Sequence, residues 1–421
     1  MKAGVLIVGG GVMGASIALH AARRRDPLDS PVVLLERRAF GAGSSGRSGA
    51  ILRQFYSDRE LVGMARDSLR AYATFETRTG RAIGFTRCGV LTIASTEAPE
   101  MLALLERNLG VMRECGVEVE RVDARAMRGL VPGIDVRDDA LGAWESTSGY
   151  VDPQRTVEAF AALARSHGAT TRTGVEVRGL RVSGARVVAV ETSDGEYAAE
   201  QIVVAAGPWT RALLAKAGVE LPLRVVRPEQ HFVAMPPAPR GSASAGLSGA
   251  FDADFDARFA RSNEPEPAHA VLLDIERGYY TRCEPSLGRT RVGAMDYSRD
   301  QVLDDPDALD ESVSTEFQSW ARAVLVRRMP TYREQPDRGA QAAWYTLTPD
   351  AQALIGKCAG FDNLFVASGF SGHGFKLAPS IGEGVAQMLD DAPISAFDPR
   401  FFAADRFAAR ERSAWSGAFG L

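Results

Sequence analysis

The sequence is poor in the features that mark a metalloprotein, a nucleic-acid binder or a membrane span. Its 421 residues include five histidines and four cysteines, and Cys88, Cys115, Cys283 and Cys358 are widely spread, with no C-x-x-C and no ligand grouping with a histidine. A metal centre and a disulfide framework are therefore not expected; reduced, buried thiols in a cytoplasmic protein are. There is no basic tract and the net charge is −4, which argues against a nucleic-acid partner. No stretch reaches the roughly 18 apolar residues of a spanning helix. No internal repeat is present. The opening MKAGVLIVGGG has the apolar look of a short signal peptide, but it lacks a cleavage-type ending and runs into glycines, so a strand is the better reading.

What is present is an ordinary globular composition, 45% hydrophobic and 24% charged, on a chain too long for one core. Two or three lobes are expected. The clearest motif is GGGVMG, with Gly9, Gly11 and Gly14 between a β-rich run, Lys2 to Val8, and a helical run, Ala15 to Arg25. Gly9 suits a tight turn, Gly11 the close approach of a pyrophosphate, and Gly14 the packing of helix on strand. The helix N-terminus, with Val12 and Met13, would face the phosphates. A second apolar strand, Val32 to Leu35, leads into Glu36, placed to bind ribose hydroxyls. A dinucleotide site follows.

Three further segments bear on which dinucleotide. Gly41 to Gly49 is a dense run of small residues suited to a loop pressed on a flat ring and a phosphate chain. GYVDP, Gly149 to Pro153, precedes an amphipathic helix from Gln154 to His167, a strand around Thr171 to Val177, a hairpin through Val182 to Glu191, and QIVVAAGPW ending at Trp209. Near the C-terminus, GFSGHGFKLAPSIGEG (369–384) crowds glycines around His373 and Lys376.

These pieces, in this order, resemble the FAD-dependent amino acid oxidase family, and within it the sarcosine oxidase and glycine oxidase-like amine oxidoreductases. The resemblance implies an α/β protein. A Rossmann-like FAD-binding domain (1–84, 147–222 and 346–421) would be joined to a smaller α+β substrate domain (85–146 and 223–345). The latter would have a mixed, mainly antiparallel sheet and an irregular insertion at 236–268, either a lid or disordered. Its strands would include Phe85 to Ile93, Gln230 to Ala234, Ala270 to Asp274, Gly278 to Arg282 and Arg291 to Ala294, and its helices Met101 to Cys115 and Glu311 to Arg328. The C-terminal glycine-rich turn would open the last long helix of the FAD domain, its backbone N–H groups meeting the flavin pyrimidine edge, where a helix N-terminus stabilises the negative charge of the reduced ring.

The resemblance also implies site residues. Cofactor contacts would add Arg37, Ser44, Ser45, Arg47, Ser48, position 176 (a glutamate between two valines), Ala206, Gly207, Trp209, Gly369, Gly372, His373, Gly374, Phe375 and Lys376 to those above. Arg53 and Lys376 match the pair that holds a substrate carboxylate. Tyr280 and Tyr345 match aromatics of the substrate cavity, and Arg282, on the face of Tyr280, is a further anchor candidate. Arg291 and His373 are the catalytic candidates; His231, on an apolar strand, reads as a core histidine. The chain departs from the family pattern at four positions. Arg291 stands where a lysine promotes reaction with oxygen, Met295 where a substrate-site histidine occurs, Ala343 where a cysteine is bonded to the flavin, and Ala50 where an arginine occurs. Non-covalent FAD and a substrate other than sarcosine follow.

The expected activity is oxidation of a carboxylate-bearing amine to an imine, with oxygen as acceptor and hydrogen peroxide released. A 2-hydroxy-acid dehydrogenase and a flavin-carrying subunit of a multi-subunit oxidase are the alternatives.

Overall fold

The computed structural model describes residues 2–237 and 266–407. The chain is α/β. Lys2–Val8 is a central strand because all but its first residue are buried and apolar, which suits a strand covered on both faces. It pairs in parallel with Val32–Leu35 on one side and Gly195–Val204 on the other. Thr170–Arg172 and Leu364–Ser368 extend the parallel core at its two ends. A hairpin, Val177–Ser183 with Arg186–Thr192, joins the start of Gly195–Val204, and Leu354–Lys357 runs antiparallel to Leu364–Ser368. The sheet has eight strands.

Two helices from opposite ends of the chain meet on this sheet, Val12–Arg23 and Gly374–Leu389. Small residues let them approach. The Ser16 hydroxyl donates to Ala378 O at 2.7 Å, and a Cβ on Gly382 would come within 2.2 Å of Ser16 Oγ. The last helix carries Pro379, which has no N–H and so releases the carbonyl of Phe375. The Tyr72 hydroxyl, from the helix Arg59–Ala73, satisfies that carbonyl at 2.6 Å.

A second eight-stranded sheet orders Asp337–Ala342, Glu229–Ala234, Arg289–Ala294, Tyr279–Glu284, Val271–Asp274, Val90–Ala94, Leu141–Glu145 and Glu120–Asp123. Its pairs are antiparallel except for Val271–Asp274 on Val90–Ala94, the mixed sheet expected. Helix Thr315–Arg328 covers it with Phe317, Ala321 and Leu325 inward. A small ribbon ties the two halves together, Arg224–Arg227 between Tyr345–Leu347 and Gln301–Val302.

Several boundaries differ from those expected. The run Thr171 to Val177 is two strands, separated where Gly174 adopts φ +76°. Phe85 to Ile93 is likewise split at Gly89, φ +75°, where the Trp144 ring leaves no room for a side chain. The helix expected from Glu311 begins at Thr315, because Ser314 caps it by accepting from the Phe317 N–H at 3.2 Å. All four cysteines are free, but Cys115 is partly exposed at a helix end rather than buried. The insertion expected at 236–268 lies, except for its ends, outside the described residues.

Candidate active site

The two glycine-rich turns open on one cleft of about 500 Å³. The N-terminal turn contributes Gly9, Gly11, Val12 and Met13; the C-terminal one contributes Gly369, Gly372, Gly374 and Phe375. Glu36, Arg37, Ser44, Ser45, Ser48, Glu176, Ala206, Gly207 and Trp209 complete the expected wall. Gly14 does not line it. A Cβ there would stand 1.9 Å from Gly9 O, so its place is helix-on-strand packing. Gly9 itself has φ +109°, a conformation that favours glycine.

The local hydrogen bonds hold this cradle in shape. Glu36 accepts from the Gly10 N–H at 2.7 Å and the Arg38 N–H at 2.8 Å, and Ser45 Oγ accepts from the Val12 N–H at 2.9 Å. The Arg37 guanidinium lies 4.1 Å over the Trp209 ring and donates to Asp307, which it holds below the usual carboxylate range. Neither helix is capped by its own N-cap side chain, Gly11 in one case and His373 in the other. Two positive helix ends thus face one cleft. These residues fit FAD: the first helix end would hold a pyrophosphate, and the second would meet the pyrimidine edge of the ring.

Of the expected cofactor contacts, His373 and Lys376 do not line the cleft; they belong to a buried polar cluster beside Gly372 and Gly374. His373 Nδ1 lies 3.1 Å from Tyr56 Oη and 3.4 Å from Arg53 Nη2. Since arginine only donates, Nδ1 is the acceptor, and the ring proton resides on Nε2, which faces Tyr297 Oη at 3.5 Å. The Tyr297 hydroxyl donates onward to Ser371 O. Burial first, then the charges of Lys376 and Arg53, push His373 well below its usual pKa, so the imidazole is neutral. Arg53 is 2% exposed, donates to Phe55 O and lies 4.2 Å over the Tyr56 ring. Lys376 is 6% exposed, and among the described residues its ammonium has neither a hydrogen-bond acceptor nor an ion-pair partner. Burial and Arg53 lower its pKa well below the usual value.

Tyr345 edges onto Tyr297 at 6.3 Å between ring centres and is hydrogen-bonded to Tyr280, so the aromatic wall is continuous. The remaining arginines are placed differently from the expectation. Arg47 does not line the cleft. It turns to the second sheet, donating to Ala342 O at 2.8 Å, pairing with Glu311 and lying over Trp344. Arg282 donates to Gly49 O and stacks 4.0 Å over Tyr150, while its buried Nε has no hydrogen-bond partner. Arg291 is ion-paired with Glu284, Nη2 to Oε1 2.6 Å, and donates to Arg47 O at 2.8 Å and to Gln230. His231 is buried, with Nε2 3.0 Å from Asp337 Oδ1.

Sequence reading missed Tyr56 and Tyr297. Each had a signal of sorts, Tyr56 in the RQFY that carries Arg53 and Tyr297 just past Met295, but nothing in the sequence brings both to His373.

The chain is similar to known proteins over most of its length. The family model for FAD dependent oxidoreductases (DAO) matches residues 4–388. A 4-methylaminobutanoate oxidase (formaldehyde-forming) of Paenarthrobacter nicotinovorans is 29% identical over 399 residues, covering 91% of this chain; the chain spans 43% of that longer protein. A monomeric sarcosine oxidase of a Bacillus species is 28% identical over 393 residues, covering 91% of this chain and 92% of that one. Among solved structures, L-proline dehydrogenase from P. horikoshii superposes with a TM-score of 0.82 at 22% identity, covering 97% of this chain and 98% of that one. Glycine oxidase from Geobacillus kaustophilus gives 0.77 at 24%, covering 96% and 99%. The structural matches show the fold. Among the described residues no helix is long and apolar enough to cross a membrane. With the cleft, its two helix ends and a family match over most of its length, the chain belongs to the FAD dependent oxidoreductase (DAO) family.

Proposed function

We propose that the protein oxidises the C–N bond of a carboxylate-bearing amine, secondary or N-methylated, to an imine, the electrons passing on to oxygen with release of hydrogen peroxide. One observation carries this reading: Arg53 and Lys376 are buried near one another, Lys376 directly after the cleft-lining Gly374 and Phe375, and neither is ion-paired with a described carboxylate. An uncompensated buried charge costs several kcal/mol, on the order of that for a broken buried ion pair. A substrate carboxylate supplies the missing partner. The names of the two relatives, each an oxidase of a methylamino acid, support the same class, while Met295 speaks against sarcosine itself.

Bound FAD supplies the two-electron acceptor. The chain's own residues bind and orient. Arg53 and Lys376 hold the carboxylate, and Tyr280 and Tyr345 wall the amine side. His373 is neutral with its Nδ1 lone pair already engaged, so it orders Arg53 and Tyr56 rather than taking a proton. Arg291 contributes little to reaction with oxygen because Glu284 offsets its charge. That ion pair favours a second reading, the same amine chemistry with an acceptor other than oxygen. The discontinuous division into a cofactor lobe and a substrate lobe is supported by the two sheets, and free thiols suit a cytoplasmic setting.

The experiment is anaerobic reduction of the bound flavin by N-methyl amino acids, cyclic imino acids, D-amino acids and hydroxy acids, followed by a peroxide assay in air. Reduction by an amine with peroxide release is expected. Reduction by amines without peroxide selects the second reading, and reduction by hydroxy acids alone removes both. Arg53→Met and Lys376→Met should each weaken propionate binding by roughly 10- to 150-fold, the equivalent of a charge-assisted bond of ~1.5–3 kcal/mol. Propionamide binding and FAD content should hold. The double variant should lose less than the sum, because the two cations share one anion.

A further inference from the structure

Glu145 ends the strand Leu141–Glu145 and is wholly buried, at 0% exposure. A buried carboxylate is normally paired or fully hydrogen-bonded. This one is neither. Its Oε2 accepts from the Gln54 N–H at 2.7 Å and the Ser148 hydroxyl at 2.8 Å, with the Gln54 side-chain amide at 3.4 Å. Its Oε1 has no hydrogen-bond partner, and among the described residues it forms no ion pair. The charged and titratable groups that face it are Arg53 and Tyr56, which follow the strand Ile51–Leu52, and Lys376 of the last helix. Burial raises the Glu145 pKa, opposed by the bonds from Ser148 and Gln54 and by the charge of Arg53, so two buried cations look toward one buried carboxyl group, at a distance.

An apolar side chain would fill this position at lower desolvation cost. The hydrogen bond to Gln54 fixes the backbone immediately after Arg53. The carboxylate also opposes burial in setting the protonation of Lys376, since it raises that pKa while burial lowers it.

We propose that Glu145 is a positioning residue of the carboxylate-binding pair: it fixes Arg53 through the backbone of Gln54 and lends its negative charge to both Arg53 and Lys376. Arg53 is thereby aimed, and Lys376 stays charged to higher pH than burial beside a guanidinium would allow. The proposal rests on the reading of Arg53 and Lys376 as the carboxylate pair.

The test is propionate binding to the holoprotein, by calorimetry and by the visible absorbance of the bound flavin, from about pH 6 to about pH 10. Glu145→Gln keeps an acceptor for the Gln54 N–H and removes the charge. Its propionate affinity should begin to fall at a lower pH than in the wild type. Above that point it should be weaker by about ten-fold. Propionamide affinity should be unchanged. Glu145→Asp keeps the charge but shortens the reach to Gln54. It should retain the wild-type pH limb while losing affinity at every pH, and it serves as the test if Glu145→Gln does not fold. Unchanged propionate profiles in the folded variants would overturn the proposal. If Arg53→Met and Lys376→Met also leave propionate binding intact, it is the underlying carboxylate reading that has failed. If those two lose propionate while the Glu145 variants do not, only the role of Glu145 has.

Discussion

Substituting Gly14 by alanine sets two physical effects of opposite sign against each other. Gly14 lies inside the helix Val12–Arg23, where alanine is favoured over glycine by ~1 kcal/mol. Helix propensity alone therefore predicts stabilisation. Yet a Cβ at Gly14 would stand 1.9 Å from Gly9 O and 3.1 Å from Gly9 C, both backbone atoms. No rotamer relieves that overlap; the helix must lift from the strand or the turn must move. Overpacking of this kind costs ~1–3 kcal/mol, more where the backbone is pinned. Gly9 is pinned, because its own Cβ direction is filled by Ala205 O at 2.5 Å. Packing should win, with a net loss of ~2 kcal/mol or more and, since the displaced turn is the phosphate cradle, loss of FAD. Gly11→Ala is the control. Gly11 has φ −76°, which alanine adopts freely, and its Cβ would meet only the Ser45 hydroxyl oxygen, at 3.1 Å. That variant should keep the melting temperature of the FAD-free protein while losing FAD affinity, because the new methyl projects into the cleft. Thermal unfolding of the FAD-free proteins and flavin content by absorbance read both quantities. A Gly14→Ala protein that melts higher than wild type and retains FAD would refute the packing argument.

Two further outcomes are expected. Lys376→Met should stabilise the ligand-free protein near neutral pH by about 1 kcal/mol, as relief of a strained functional site commonly does. Lys376 has a lowered folded pKa, so its penalty is fully present below that value and is relieved as pH rises from there toward the ordinary 10.5. The stability gap between variant and wild type should therefore narrow with rising pH, and thermal melts giving a variant less stable at every pH would contradict this. FAD should be non-covalent, since Ala343 is buried with no nucleophilic side chain. Acid precipitation should leave yellow flavin in the supernatant, and colour in the protein pellet would show a bond that the sequence does not account for.

Much of this protein was legible in its sequence because the cofactor lobe is built from local rules. A strand, a glycine turn and a helix are contiguous from Lys2 to Arg23, and Gly9, by its positive φ, and Gly14, by its contact with Gly9, are required by backbone geometry close by in sequence. The terminal helix and its glycine-rich start were legible for the same reason. Element boundaries failed where one distant side chain decided them, as at Gly89, which yields to the Trp144 ring, and at Thr315, where Ser314 caps the helix.

The charges of the site were decided by tertiary structure. Sequence presents four arginines near the site, Arg47 for the cofactor, Arg53 and Arg282 for a carboxylate and Arg291 for reaction with oxygen. Folding gives Arg47 to Glu311 and Arg291 to Glu284, ties Arg282 to Gly49 O and the Tyr150 ring, and leaves Arg53 beside Lys376 without a carboxylate partner; Arg282 too has no carboxylate partner among the described residues. Which cation is neutralised depends on which strand lies across from it, as Arg282 lies across from Arg291, and on residues hundreds of positions away. Ion pairing is a property of distance and burial, and neither is written in the order of residues. By itself the sequence determined the cofactor's cradle; only the fold determined which charges are free to meet a substrate.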